Sequence, residues 1–181
     1  MSVLGHVAIG VVTARAITKP GPEPGVGRLA VRMTALATLA LLPDIDFVAR
    51  ALVPGVPLFD HRGFTHSLVF AALVGLVVGW VLLVTRSDRP FAWAALAAAV
   101  VASHGLLDLI GDSELGVELL WPFSTVRLIP LQLLPDPALA PPLLQHFLVP
   151  LAEEAVLFLP AWLYAFTPRS LLPRAIRNTG R

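Results

Sequence analysis

The stretch HRGFTHSLVFAALVGLVVGWVLLV, residues 61–84, decides how this chain folds. From Phe64 to Val84 it is almost wholly apolar, and about 20 apolar residues in a helix are enough to cross the hydrocarbon core of a bilayer. Its front end crowds His61, Arg62, Thr65, His66 and Ser67 at the mouth of that run. Ionisable groups are costly beside lipid, and where a membrane segment keeps them they mark a functional site by default.

Working outward, the whole chain has the same character. Of its 181 residues 56% are hydrophobic and 14% charged, against about 25% charged in a soluble domain. Mean hydropathy is +0.79. A net charge of +1 supplies no basic surface for nucleic acid, so no nucleic-acid partner is expected. There is no cysteine, which excludes disulfides and thiolate ligands. Any metal would be held by His, Asp and Glu.

The pattern predicts an all-α integral membrane bundle of about five helices in one domain, at residues 3–17, 29–42, 64–84, 91–110 and 147–166, with a basic tail at 167–181. The Pro/Gly loop KPGPEPGVG (19–27) ends the first helix and Pro43 closes the second. RSDRP (86–90) makes a short turn, so the third and fourth helices are antiparallel neighbours. The long proline-rich stretch 111–146 has the length of a functional loop. Pro160 falls inside the fifth helix and is expected to kink it.

Lys and Arg favour the cytoplasmic side. With the 86–90 turn inside, ten of the 13 basic residues become cytoplasmic. The N-terminus is then outside, the C-terminus inside, and the protein multi-pass. That map uses only Lys and Arg. It nevertheless places all five histidines and ten of the 12 acids on the outer side.

The spacing of these groups suits metal chemistry. HGLLD (104–108) puts His104 and Asp108 four residues apart, on one face of a helix. PDID (43–46) offers two carboxylates: they bridge two metals, or one ligates while the other orients a water. His66 points back toward the start of its helix. Imidazole mixed with carboxylate suits Zn²⁺, and also Mn²⁺ or Fe²⁺. The bland alternatives are a helix stop at LPD with Asp44 as a cap, a snorkelling Arg62, and Glu153 and Glu154 complementing a helix dipole.

LLPDID (41–46), HRGFTHS (61–67), SHGLLD (103–108) and LLWPFS (119–124) occur in that order, and in this the chain resembles the YdjM-like, membrane-bound metal-dependent hydrolases of bacterial inner membranes, some of them under LexA control. The likeness runs from His6 to about Pro160. The family's early histidine matches His6, and its acid in the last helix matches Glu154, with Glu153 second. A more distant similarity is to zinc-dependent phospholipase C and P1-type nucleases, which hold zinc through an H-x-x-x-D helix matched by His104 and Asp108. These resemblances imply a bacterial inner-membrane hydrolase with two or more divalent ions, Zn²⁺ first, acting on a phosphate ester of a lipid or lipid-linked substrate. The expected ligands are His6, Asp46, His66, His104, Asp108 and Glu154. Asp44 is expected to orient or deprotonate water, and His61 and Arg62 to meet the substrate's phosphate. Two other classes compete, a non-catalytic metal-stabilised membrane scaffold and a small ion transporter. The second is disfavoured by the uncharged centres of helices 3 and 4, ALVGLVVGW and AALAAAVV.

Overall fold

A computed structural model of the chain describes residues 3–18, 26–110, 116–129, 149–168 and 171–172. Its α-helices are α1 (Val3–Ile17), α2 (Val26–Leu41), α3 (Ile45–Leu52), α4 (Leu68–Val84), α5 (Pro90–Asp108), α6 (Val149–Leu157) and α7 (Leu159–Phe166). Among the described residues there is no strand, only one antiparallel bridge between Val117 and Leu128. The architecture is all-α.

The chain divides into two compact units, one holding Leu39–Pro137 and the other Ser2–Thr38 with Ala138–Arg181. In the first unit α4 and α5 form the scaffold. Five residues, 85–89, join them, so they pack antiparallel. Gly75 and Gly79 lie one turn apart on α4 and face Ala94 and Ala98 of α5; a Cβ at Gly75 would come within 2.7 Å of the Ala94 carbonyl oxygen. Small residues at these positions let the two backbones approach closely. Of the described helices, α5, with 19 residues, is both long and apolar enough to cross a membrane, while α1 and α4 are shorter apolar helices.

Two local differences from the pattern reading have clear causes. The apolar run starting at Phe64 becomes helical only at Leu68, because the Ser67 hydroxyl accepts from the Phe70 amide at 3.1 Å and caps α4. That releases residues 64–66 into a separate 3₁₀ turn. The second difference is at 147–166, where the chain makes two helices rather than one kinked helix. Pro160 sits in the first turn of α7, where its missing N–H is not needed.

In the second unit α1 packs on α2 at Gly10, where a Cβ would lie 2.5 Å from the Ala37 nitrogen. The Arg15 guanidinium donates to the Thr167 carbonyl at 3.0 Å and so ties α1 to the end of α7.

Candidate metal centre

In the first unit three elements meet at one end of α5: the 3₁₀ turn Leu42–Asp44, the 3₁₀ turn Phe64–His66 and the last turns of α5 itself. Pro43 opens the first turn and α3 begins one residue after it ends. Asp44 stands at the N-cap of α3 but makes no side-chain cap bond. Its carboxylate turns to the imidazoles instead, with Oδ1 3.4 Å from His104 Nε2 and 3.7 Å from His66 Nε2. Asp108 closes the other side, its Oδ2 3.5 Å from His66 Nε2 and 3.9 Å from His104 Nε2. His66, His104 and Asp108 are buried, while Asp44 is 29% exposed.

The tautomers can be read from the partners. His104 Nδ1 lies 2.7 Å from the Ala40 carbonyl oxygen, an acceptor only, so Nδ1 carries the proton. His66 Nδ1 lies 3.1 Å from Thr65 Oγ1, whose own proton goes to Asp46 Oδ2 at 3.3 Å. Nδ1 of His66 is therefore the donor there too. Both Nε2 atoms are left with lone pairs, and both face carboxylate oxygens. Burial lowers the pKa of His66 despite the favourable pull of the neighbouring Asp44 carboxylate, which favours the neutral ring.

The result is four acceptors, two imidazole nitrogens and two carboxylate oxygens, turned toward one another. His66 Nε2 is buried and makes no hydrogen bond among the described residues. The separations of 3.4–3.9 Å exceed good hydrogen-bond lengths. They come close to the edges of a tetrahedron around Zn²⁺, about 3.3–3.6 Å for ligand bonds of about 2.0–2.2 Å. Asp44, His66 and His104 form one group that can hold a metal ion, and Asp46, His61 and His66 form another.

Asp46 has a different environment. It is fully buried and takes donors on every side: His61 Nδ1 at 3.0 Å, the Arg62 amide at 3.3 Å and Thr65 Oγ1 at 3.3 Å. It also stands 3.5 Å from His66 Nδ1, behind the ring rather than in front of it. This carboxylate is the hub of the 61–66 loop.

Arg62 adopts φ +63, a left-handed conformation that costs a residue with a side chain about 1–2 kcal/mol. Its amide goes to Asp46, and its carbonyl accepts from the Glu118 amide at 2.9 Å. The conformation lays the guanidinium inward, 6% exposed, with Nε 3.6 Å from Asp108 Oδ2. Nε and Nη1 are buried and make no hydrogen bond among the described residues. Arg127 braces the loop from outside, donating to the His61 carbonyl at 3.2 Å and pairing with Glu118 at 3.0 Å.

Of the expected site residues, the first unit thus brings together Asp44, Asp46, His61, Arg62, His66, His104 and Asp108. His6 and Glu154 belong to the second unit, where both are buried. There Glu154 accepts the Gly5 amide in the first turn of α1 at 3.2 Å. His146 lies outside the described residues. Pattern reading gave Thr65 no role of its own and missed Glu118, Arg127 and Gly105. A Cβ on Gly105 would overlap the His66 carbonyl oxygen, so the glycine is what lets the 64–66 turn lie against α5. Its place between His104 and Asp108 in HGLLD is the signal that was available.

The chain is 33% identical over 129 residues to the inner membrane protein YbcI of Escherichia coli (strain K12), covering 70% of this chain and 72% of that one. No solved structure matches it. The family model described as YdjM inner membrane protein matches residues 1–173. The chain therefore belongs to the YdjM inner membrane protein family.

Proposed function

We propose that this protein is a membrane-bound metal-dependent hydrolase whose substrate is a phosphate ester of a lipid or lipid-linked molecule. One observation carries the reading: four acceptor atoms converge in the first unit with their lone pairs facing inward. Buried acceptors that face one another repel, at a cost of several kcal/mol, and the Arg62 guanidinium lies against Asp108 alone of the four residues that supply them. A divalent cation removes that cost, and a nitrogen–oxygen set of this kind suits Zn²⁺ first, with Mn²⁺ or Fe²⁺ next.

Asp44, His66, His104 and Asp108 would hold the ion. In this reading Asp44, rather than Asp46, is the ligand from PDID. Asp46 orients His66 from behind, the usual arrangement of a carboxylate that fixes a ligating imidazole. A second ion between Asp46, His61 and His66 would have to displace the bonds Asp46 already accepts. When bound, the ion supplies a Lewis acid that polarises a phosphoryl oxygen and activates water near neutral pH. The chain's own residues bind and orient. Arg62 presents buried N–H donors beside Asp108, a setting matched to a phosphate oxygen. His61, with Nδ1 committed to Asp46, keeps Nε2 for the substrate.

The proposed orientation has the N-terminus outside, the C-terminus in the cytoplasm and the site on the outer side, from the distribution of Lys and Arg. A non-catalytic scaffold is the second reading, since one ion would also staple the 42–44 turn, the 64–66 turn and α5 together. Elemental analysis of detergent-purified protein and turnover on a phosphodiester and phospholipid panel test both. The hydrolase reading expects stoichiometric metal and turnover, both abolished by combining His104→Ala with Asp108→Ala. Full metal content in that double variant sinks the site. Metal that raises the melting temperature without any turnover leaves the scaffold.

A further inference from the structure

The surroundings of the centre suggest how it sits in the membrane. Helix α3 is eight residues long, about 12 Å at 1.5 Å per residue, far short of the bilayer core. It is nevertheless sharply two-sided. Asp46 and Arg50 lie one turn apart on one face, and Asp46 is fully buried. Phe47, Val48 and Leu52 fall on the opposite arc and are 55%, 57% and 77% exposed. Across the site the stretch LLWPFSTV (119–126) carries no charge. Phe123 is 87% exposed, Val126 67% and Ile129 77%. The flanking charges Glu118 and Arg127 pair with each other.

We propose that α3 and the 119–129 loop form an apolar collar seated in the headgroup–acyl boundary of the bilayer, which holds the metal centre at headgroup level. Three observations select a lipid surface as the occupant. First, the chain belongs to an inner-membrane family, and the loop adjoins the start of the apolar helix α4. The Leu68 amide donates to the Leu119 carbonyl at 3.0 Å, and Trp121 meets Phe64, which meets Phe70, with ring centroids 4.8 and 5.2 Å apart. The exposed apolar residues of α4, Leu76 and Trp80 among them, thus belong to a helix whose first turn is in contact with the collar.

Second, irregular backbone exposed to lipid is excluded from the hydrocarbon core but not from the interface. The loop has already satisfied the amides of Trp121, Phe123, Ser124 and Val126 internally, which lowers the cost of leaving water. Third, α3 has the short amphipathic form of an interfacial helix. Its Phe47 ring lies 4.2 Å from that of His61, so the lipid-facing surface reaches the edge of the centre. Combined with the hydrolase reading, on which this last step alone rests, the collar makes the substrate an amphiphile that enters from the leaflet and not a solute that enters from water.

The absence of cysteine allows a clean test. Leu52→Cys, Phe123→Cys and Ile129→Cys, each labelled with an environment-sensitive fluorophore, are reconstituted in nanodiscs of phosphatidylethanolamine and phosphatidylglycerol, which leave both membrane faces open to the solvent. Asp88→Cys, in the α4–α5 connection, is the aqueous reference. Circular dichroism checks that each labelled chain is folded. The three collar labels should be quenched by spin-labelled lipids carrying the nitroxide near the headgroup, and reduced by aqueous dithionite several-fold more slowly than label 88. Dithionite rates equal to that of label 88 overturn the collar. Because depth is read without turnover, protected labels on a chain that hydrolyses nothing would keep the collar and discard the hydrolase.

Discussion

Asp44 and Asp46 are two residues apart in PDID and live in opposite surroundings. Asp46 is sealed in and receives three hydrogen bonds from the 61–66 loop. Asp44 is partly open, and its nearest polar neighbours are two imidazole nitrogens that offer it no proton. Between them stands His66, with one ring nitrogen turned to each. The difference teaches that a carboxylate's role is set by what faces it. A carboxylate surrounded by donors is structural and orienting. One that faces acceptors is placed where it could hold a cation.

The sharpest way to break this contrast is to exchange the carboxylates for amides one at a time. Asp44→Asn removes an anionic ligand and should weaken metal binding by more than about 100-fold, read as lost stoichiometry after dialysis. If it retains the metal as firmly as the wild type, the assignment of Asp44 is wrong. Gly105→Ala should act nearly as strongly without touching a ligand. A methyl group there pushes the His66 backbone off α5 and separates His66 from His104 and Asp108. The expected outcome is a folded helical protein, by circular dichroism, with little bound metal.

Asp46→Asn should be milder for the metal, about 10–100-fold in affinity, as for other carboxylates behind a ligating imidazole. It should cost thermal stability as well, because His61, Arg62 and Thr65 all lose their common acceptor. A larger metal defect in Asp46→Asn than in Asp44→Asn would reverse the roles proposed for the pair.

The smallest effect concerns pH. His66 has a pKa below that of an unfolded histidine, so the unfolded chain binds its proton more readily than the folded one. Its contribution to stability is complete above about 6.5, the unfolded value, and is lost as pH falls toward the folded one. The melting temperature of the metal-free protein should therefore drop between pH 7.5 and pH 5. Metal affinity should fall over the same interval, since protons and the ion compete for the same nitrogens. A flat melting temperature across that range argues against a neutral, buried His66.

Much of this protein was legible in its sequence for reasons of physics that act locally. Apolar runs without charge dictate helices in lipid, whatever their neighbours, so the all-α, membrane-associated character followed from composition and length. The H-x-x-x-D spacing of His104 and Asp108 places both on one helical face, because 3.6 residues make a turn. What tertiary structure alone decided is which way each side chain faces and what it meets there. Whether Asp44 or Asp46 turns toward His104 depends on a 3₁₀ turn at Pro43 and on Thr65, Arg62 and His61 closing around the other carboxylate. No periodicity encodes that choice. HGLLD marks Gly105 by its place beside His104, but not the reason it must lack a side chain, that a carbonyl 39 positions earlier rests against it, for a contact between distant residues is a property of the folded backbone and not of either segment alone.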